Sequence, residues 1–357
     1  SIDPQLDNDH RAARTPPTSR RRGSSAGDRH PARIGATDLR TGPANMTLRP
    51  VRAALNGTSW VAPRVAGRAT FYLFCNLKPR SKVRDSERET HHRALLDELS
   101  VNGKKVVTYR WGNGERPVLL VHGWQSRAAR FAGFVPRLEA LGCSPISFDA
   151  PGHGDSAGRR TTVLEYREVI RQLQNKYGPF EAVIAHSFGV MATFLSLRAT
   201  LTAGRLVAVA GVSDFHFLHD EFCRRLQLNA RLRQQLRRRI EQDLFPEIPG
   251  MWELFDSTHQ TDEIALPILV IHDQSDEIVP IGQAQRLQSA YGDQLELITT
   301  AQLGHRKILA HPTVIDRAVD FIGLPHEPEP RDAAPSPLTS TSRIRPGRHR
   351  PARRPGA

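Results

Sequence analysis

The sequence predicts an α/β fold: a mostly parallel sheet with helices on both faces and a small helical insertion. Three observations carry this expectation. The continuous apolar runs Pro117-Val118-Leu119-Leu120-Val121, Ala182-Val183-Ile184, Leu206-Val207-Ala208-Val209 and Pro267-Ile268-Leu269-Val270-Ile271 suit strands buried on both faces. Segments with apolar residues at helical spacing lie between the runs, so strand and helix alternate. Several runs end in short turns rich in Gly, His, Ser or Asp, where sheets of this kind place their sites.

The two ends of the chain differ from its middle. Residues 1–45 and 325–357 are rich in Arg and Pro and lack apolar periodicity; they are expected to be disordered because they bury too little to offset the entropy of ordering. The first holds 8 Arg against 5 acids and the second 7 Arg against 3, so they carry +7 of the formal +13. Such tails are candidates for contact with nucleic acid or an anionic membrane. The simpler expectation is solvated extensions, with no obligate nucleic acid; residues 1–45 also read as sequence ahead of a natural start at Met46. Cys75, Cys143 and Cys223 are scattered without metal-like spacing and predict reduced thiols rather than a disulfide framework.

Residues 46–98 read as an N-terminal docking segment. Its apolar stretch at 60–77 is interrupted by Pro63, Arg64 and Arg68 and falls short of the ~20 uninterrupted residues of a membrane span. Docking on the domain is the expectation, and contact with a membrane surface the second reading. No charged-then-apolar pattern opens the sequence, which makes the cytoplasm the default expectation.

The core is expected at residues 99–213 and 263–324. A charged helix over 85–99 leads into a hairpin, where Asn102-Gly103 supplies the positive φ of a two-residue turn. The strand at 117–121 ends in His122-Gly123-Trp124, and a helix is predicted over 128–141. Another strand at 145–148 runs into Asp149-Ala150-Pro151-Gly152-His153-Gly154-Asp155-Ser156. In that turn and the preceding one, Gly123, Gly152 and Gly154 are expected for backbone conformation, Asp149 as an anchor, and His122 and His153, like His186 farther on, as structural groups bonding backbone. A helix follows over 163–177.

Between residues 214 and 262 the alternation breaks. Apolar residues at helical spacing, Phe222, Leu226, Leu232, Leu236, Ile240 and Leu244, predict one or two amphipathic helices, with the intervening arginines on a solvated face. The sheet resumes at 267. A helix around 284–291, a last strand at 295–299 and a closing helix over 313–322 complete the chain.

Ala185-His186-Ser187-Phe188-Gly189 reads as strand, sharp turn and helix with Ser187 at the turn, and the flanking Ala185 and Gly189 are small enough for strand and helix to pass closely. A serine hydroxyl needs a base to take its proton, and the base needs a third group to orient it. Asp276, in Asp276-Glu277-Ile278-Val279-Pro280, and His305, in Gly304-His305, follow later strands in the order Ser, Asp, His. Asp273, Glu277 and Asp214 compete for the acid role, and His272 and His311 for the base.

In these motifs the chain resembles the α/β-hydrolase superfamily from about Lys104 to Ile322, most closely its bacterial esterase and lysophospholipase-like group. The resemblance implies an α/β-hydrolase fold, Ser187 as nucleophile, His305 as general base and then acid, and Asp276 as the orienting carboxylate. It also implies an oxyanion hole from the backbone N–H groups of Phe188 and Trp124, and a cap formed by residues 214–262. The activity implied is cleavage of a small-molecule carboxylic ester or related acyl bond, without cofactor or metal. The competing class is a binding protein that keeps the fold without the chemistry and whose basic tails touch nucleic acid or anionic membrane.

Overall fold

The apolar runs assemble into an eight-stranded sheet: β1 Leu95–Val101, β2 Lys104–Arg110, β3 Pro117–Val121, β4 Ser144–Phe148, β5 Ala182–His186, β6 Leu206–Val209, β7 Ile268–Asp273 and β8 Leu295–Thr300. Their order across the sheet is β1-β2-β4-β3-β5-β6-β7-β8. β2 runs antiparallel to both β1 and β4, and every other pair is parallel. This computed structural model describes residues 43–76 and 80–324. All of the tail at 325–357 and all but residues 43–45 of the tail at 1–45 therefore lie outside the described residues; those three open a helix.

Twelve helices surround the strands among the described residues. α1 (Pro43–Val61), α2 (Pro63–Cys75) and α3 (Asp85–His92) precede the sheet. α4 (Val135–Ala140), α5 (Val163–Tyr177) and α6 (Phe188–Leu197) connect its parallel strands, while α7 (Phe215–Arg225), α8 (Ala230–Arg239) and α9 (Met251–Leu254) lie between β6 and β7. α10 (Gly282–Tyr291), α11 (Gly304–Lys307) and α12 (Pro312–Gly323) complete the set. Alternation along β3 divides the core into two layers. Leu119 and Val121 join the side that holds α5 and α6, whereas Val118 and Leu120 join the side that holds α4 and α12. Strands covered on both faces in this way need apolar residues throughout, and β3 to β7 are buried along their whole length.

Several sequence expectations change in detail. The helix expected over 85–99 stops at His92, because Leu95 to Val101 pair residue for residue with β2 as far as Arg110, and that ladder claims the backbone. The helix expected over 128–141 is a 3₁₀ turn, Ala128–Phe131, followed by α4. Pro136 lacks an N–H and fits only the first turn of a helix, which restarts there. The insertion holds three helices and a π turn at Ile240–Leu244 rather than one or two helices. Its arginines lie largely on an exposed face, as expected, and several engage neighbouring groups there. Arg224 and Arg225 pair with Glu221, Arg239 pairs with Asp243, and Arg237 lies 4.2 Å over the Trp252 ring.

The N-terminal segment packs on these inserted helices. The Asn56 side chain donates to Gln227 O and accepts from Asn229 N, and Asn229 Nδ2 donates to Ser59 Oγ, which ties α1 to the turn between α7 and α8. α2 crosses α8 at Gly67, where a Cβ would collide with the Gln235 side chain. Arg80 then donates to the carbonyls of Gly154, Ser156 and Gly158, fastening the segment to the glycine-rich turn. Among the described residues, no helix is long and apolar enough to cross a membrane.

α6 is the most enclosed helix: every residue from Phe188 to Ser196 is buried. Phe194 is fully buried and packs against Tyr291 at 5.4 Å between ring centroids. Phe194→Ala should therefore lower the unfolding free energy by about 3–5 kcal/mol, read as a reduced urea midpoint at unchanged slope.

Candidate active site

The site forms where β5, β7 and β8 end at the same edge of the sheet. β5 delivers Ser187 into a backbone conformation with φ 56° and ψ −122°, unfavourable for any residue with a Cβ. The turn is held by Ser187 N donating to Val209 O, and by Ser187 O accepting from Val190 N and Val212 N. α6 starts immediately afterwards and runs so close to β3 that a Cβ on Gly189 would lie 2.5 Å from Val121 O and 2.7 Å from His122 O. Gly123 has the same kind of role. Its φ is not positive, contrary to the conformational reason expected, and a Cβ there would sit 2.7 Å from Ser187 Cβ. Gly152 and Gly154 do adopt positive φ, at 78° and 42°.

The loop after β8 carries His305 to the serine. His305 Nε2 lies 2.9 Å from Ser187 Oγ, and on the other side of the ring Asp276 Oδ2 accepts from His305 Nδ1 at 2.8 Å. Asp276 Oδ1 accepts from Ile278 N and Val279 N, each at 2.9 Å. Burial alone would raise the Asp276 carboxyl, but the hydrogen bond and charge of His305 and these two N–H groups outweigh it and hold it below its ordinary value.

The competing residues are engaged elsewhere. Asp273 accepts from Thr300 Oγ1 and Leu303 N, which anchors the loop that carries His305. Asp214 caps α7 through Phe217 N and pairs with Arg286, and Glu277 is exposed. His272 Nε2 donates to Val279 O at 2.8 Å and stands 3.7 Å from Asp276 Oδ2. His311 precedes α12. Trp124 and Phe188 flank Ser187 with their rings 5.3 Å apart.

The remaining histidines of the site bond backbone. His122 Nδ1 donates to Gly123 O and Nε2 accepts from Ala150 N. His153 Nδ1 donates to Pro151 O and Nε2 accepts from Gln125 N. His186 Nε2 donates to the His305 carbonyl at 2.9 Å, with the two rings 4.9 Å apart. Burial pushes His122 from the ordinary 6.5 down to about 4, and His153 and His186 down to about 3. All three are neutral donors or acceptors in the working range.

Asp149, anticipated as an anchor, is fully buried and accepts from Tyr109 Oη, Arg127 Nη2, Ala128 N and Asp155 N. Nothing in the spacing of the sequence linked it to Arg127 or Tyr109. Above the serine is a cavity of about 500 Å³ walled by Phe74, Phe215, Phe217, Phe222 and Phe245. Phe74 belongs to α2, so the N-terminal segment forms part of this wall. The only signal for it in the sequence is the helical spacing of Ala66, Thr70 and Phe74.

Comparison with known proteins bears on this arrangement. A family model described as the alpha/beta hydrolase family matches residues 118–339. An esterase structure from Pyrococcus furiosus superposes with a TM-score of 0.52 at 19% identity, covering 68% of this chain and 97% of that one. A putative lipase from Acinetobacter baumannii gives a TM-score of 0.50 at 18% identity, covering 69% of this chain and 97% of that one. At such identities the likeness is one of fold. No curated protein matches the sequence.

The buried histidines give the fold a defined acid limit. A histidine whose folded pKa is depressed contributes stability that is complete above its unfolded value and is lost as pH falls through the interval down to the folded value. From the ordinary 6.5 and the folded values of about 3 to 4, the urea midpoint should fall as pH drops from about 6.5 toward 4. Ring ¹⁵N spectra taken over the same range should show the His122, His153 and His186 signals still neutral at pH 5. The depressed Asp276 carboxyl acts in the same direction at lower pH.

Proposed function

The chain belongs to the alpha/beta hydrolase family, and from that premise we propose that this hydrolase cleaves a carboxylic ester or related acyl bond through a covalent acyl-enzyme on Ser187. The observation that carries the reading is the unbroken chain of contacts from Asp276 through His305 to Ser187 Oγ at the floor of a cavity whose walls are mainly, though not wholly, apolar.

The geometry supports this sequence of steps. Ser187 Oγ attacks the substrate carbonyl carbon while His305 Nε2, 2.9 Å away, takes the hydroxyl proton. Asp276 keeps the ring in the tautomer with the proton on Nδ1 and stabilises the imidazolium that forms. The carbonyl oxygen becomes an oxyanion, for which the N–H groups of Phe188 and Trp124 are the donors in this reading; the Phe188 N–H also lies at the positive end of α6. Collapse breaks the bond to the leaving alcohol, which takes the proton from His305. A water then gives a proton to His305 and attacks the acyl carbon, and the second collapse returns that proton to Ser187 Oγ and releases the acid.

Residues 214–262 act as the cap over this site, with the phenylalanines of α7 and Phe245 contributing to the acyl pocket. Apolar walls of this extent suit an acyl chain, because each buried methylene adds about 0.8 kcal/mol of favourable transfer.

A fluorophosphonate probe should label the purified protein, and Ser187→Ala should abolish labelling and lower turnover of p-nitrophenyl esters by at least about 10⁴-fold with the fold intact. A folded wild type that neither labels nor turns over any ester of a graded acyl series would overturn the proposal and favour a binding role. Gly123→Ala tests the positioning of the serine: its Cβ must displace Ser187, and kcat should fall by about 10²-fold with little change in KM.

A further inference from the structure

Eight large apolar side chains are exposed among the described residues, and five of them, Trp60, Val61, Val65, Tyr72 and Leu73, belong to the end of α1 and to α2. Within α2, Val65, Tyr72 and Leu73 fall on the outward side together with Arg64 and Arg68, and Trp60 and Val61 end α1 just before the break at Ala62. The inward side of α2, Ala66, Gly67 and Thr70, is buried and crosses α8 closely. The exposure therefore belongs to a fixed surface. Trp60 is 72% exposed and Val61 86%.

Charge sets this surface apart from an ordinary apolar patch. Residues 43–84 contain eight Lys and Arg and no Asp or Glu; of the eight, Arg80 and Arg84 are engaged away from this face, with the glycine-rich turn and with Glu87. Two more cations border the face: the Arg231 guanidinium lies 5.3 Å over the Trp60 ring and that of Arg160 5.2 Å over the Tyr72 ring. Aliphatic side chains, aromatic rings and arginines on one face, without acids, match the layers of a lipid surface. The aliphatic groups enter the acyl boundary, the rings lie at headgroup depth, and guanidinium groups meet lipid phosphates. A partner protein's apolar patch would need no such excess of cations.

We propose that the outer face of α1 and α2, built on Trp60, Val61, Val65 and Tyr72 with Arg64 and Arg68, seats the protein on the surface of an anionic lipid membrane. The helices lie along that surface and do not cross it. The next turn of α2 contributes Phe74 and Cys75 to the wall of the cavity above Ser187, so one helix borders both the lipid and the pocket. The proposal stands on this face and not on the chemistry assigned to Ser187.

The test is co-sedimentation of the full chain with vesicles of phosphatidylcholine alone and of phosphatidylcholine mixed with phosphatidylglycerol, at low and high salt. Binding is expected to the anionic vesicles and to weaken with salt. The double variant Arg64→Glu, Arg68→Glu should bind them at least about tenfold more weakly. Trp111 and Trp252 are buried and Trp124 is half-buried, so a blue shift of tryptophan emission on binding should come from Trp60 and vanish in Trp60→Phe while most of the binding remains. Absence of vesicle binding would overturn the proposal. So would binding that the charge-reversed variant retains in full, which would move the contact to the Arg-rich tails. A dimer that Trp60→Ser, Val61→Ser converts to monomer would also overturn it, in favour of a second copy of the chain. Thermal midpoints of the variants check their folding without recourse to any activity, so a failed ester assay leaves this test decisive.

Discussion

The structure depends on one crowded crossing, where the turn at Ser187 and the start of α6 pass over the end of β3. Ser187 holds a positive φ that its side chain disfavours, and three backbone hydrogen bonds, to Val209, Val190 and Val212, keep it there. The crossing leaves no room for a Cβ at Gly189 or Gly123. Strain of this kind costs of order 1–3 kcal/mol and persists only where the surroundings over-determine it. Here the surroundings are the two-layered core, with α6 buried from Phe188 to Ser196 and the neighbouring strands buried on both faces. The rigidity of the sheet is what makes this one buried hydroxyl at the end of a central strand point in one direction.

Around that point the histidine rings are tied to backbone rather than left to solvent. Both ring nitrogens of His122 and His153, and Nε2 of His186, bond carbonyls and N–H groups of the loops that meet at the site. Held neutral by burial, they add no charge to compete with the Asp276 and His305 pair. Asp149, with Arg127 and Tyr109, does comparable work one loop further out, closing the glycine-rich turn onto the sheet. Neutral connectors near the reacting groups and charged ones at a distance leave the local field to the groups that face the cavity.

Much of this was legible in the sequence because the sheet is buried on both faces. Continuous apolar runs such as 117–121 and 268–271 leave little choice of structure, and the strand ends then put Ser187, Asp276 and His305 on one edge. Where tertiary contacts decide, the sequence was silent or misleading. Leu95 to Leu99 carry a helical pattern that pairing with β2 overrides. Gly123 looked like a conformational glycine and is a spatial one. The pair α1 and α2 was hardest to see, since its inward face mixes apolar residues such as Leu55, Phe71 and Phe74 with the small or polar Asn56, Ser59, Gly67 and Thr70. The latter pack by close approach and hydrogen bonds, which apolar periodicity does not signal.

The order of groups along the chain has a consequence for how the protein is made. Ser187 sits on a central strand, but the carboxylate and imidazole it meets follow β7 and β8, the last two strands and one margin of the sheet. During synthesis from the N-terminus, the serine turn is complete long before residue 305 leaves the ribosome. A nascent or truncated chain therefore holds an isolated hydroxyl with no base beside it. On the proposed reading, synthesis at least as far as His305 becomes a condition of reactivity, so the growing chain stays chemically silent until β8 has joined the sheet.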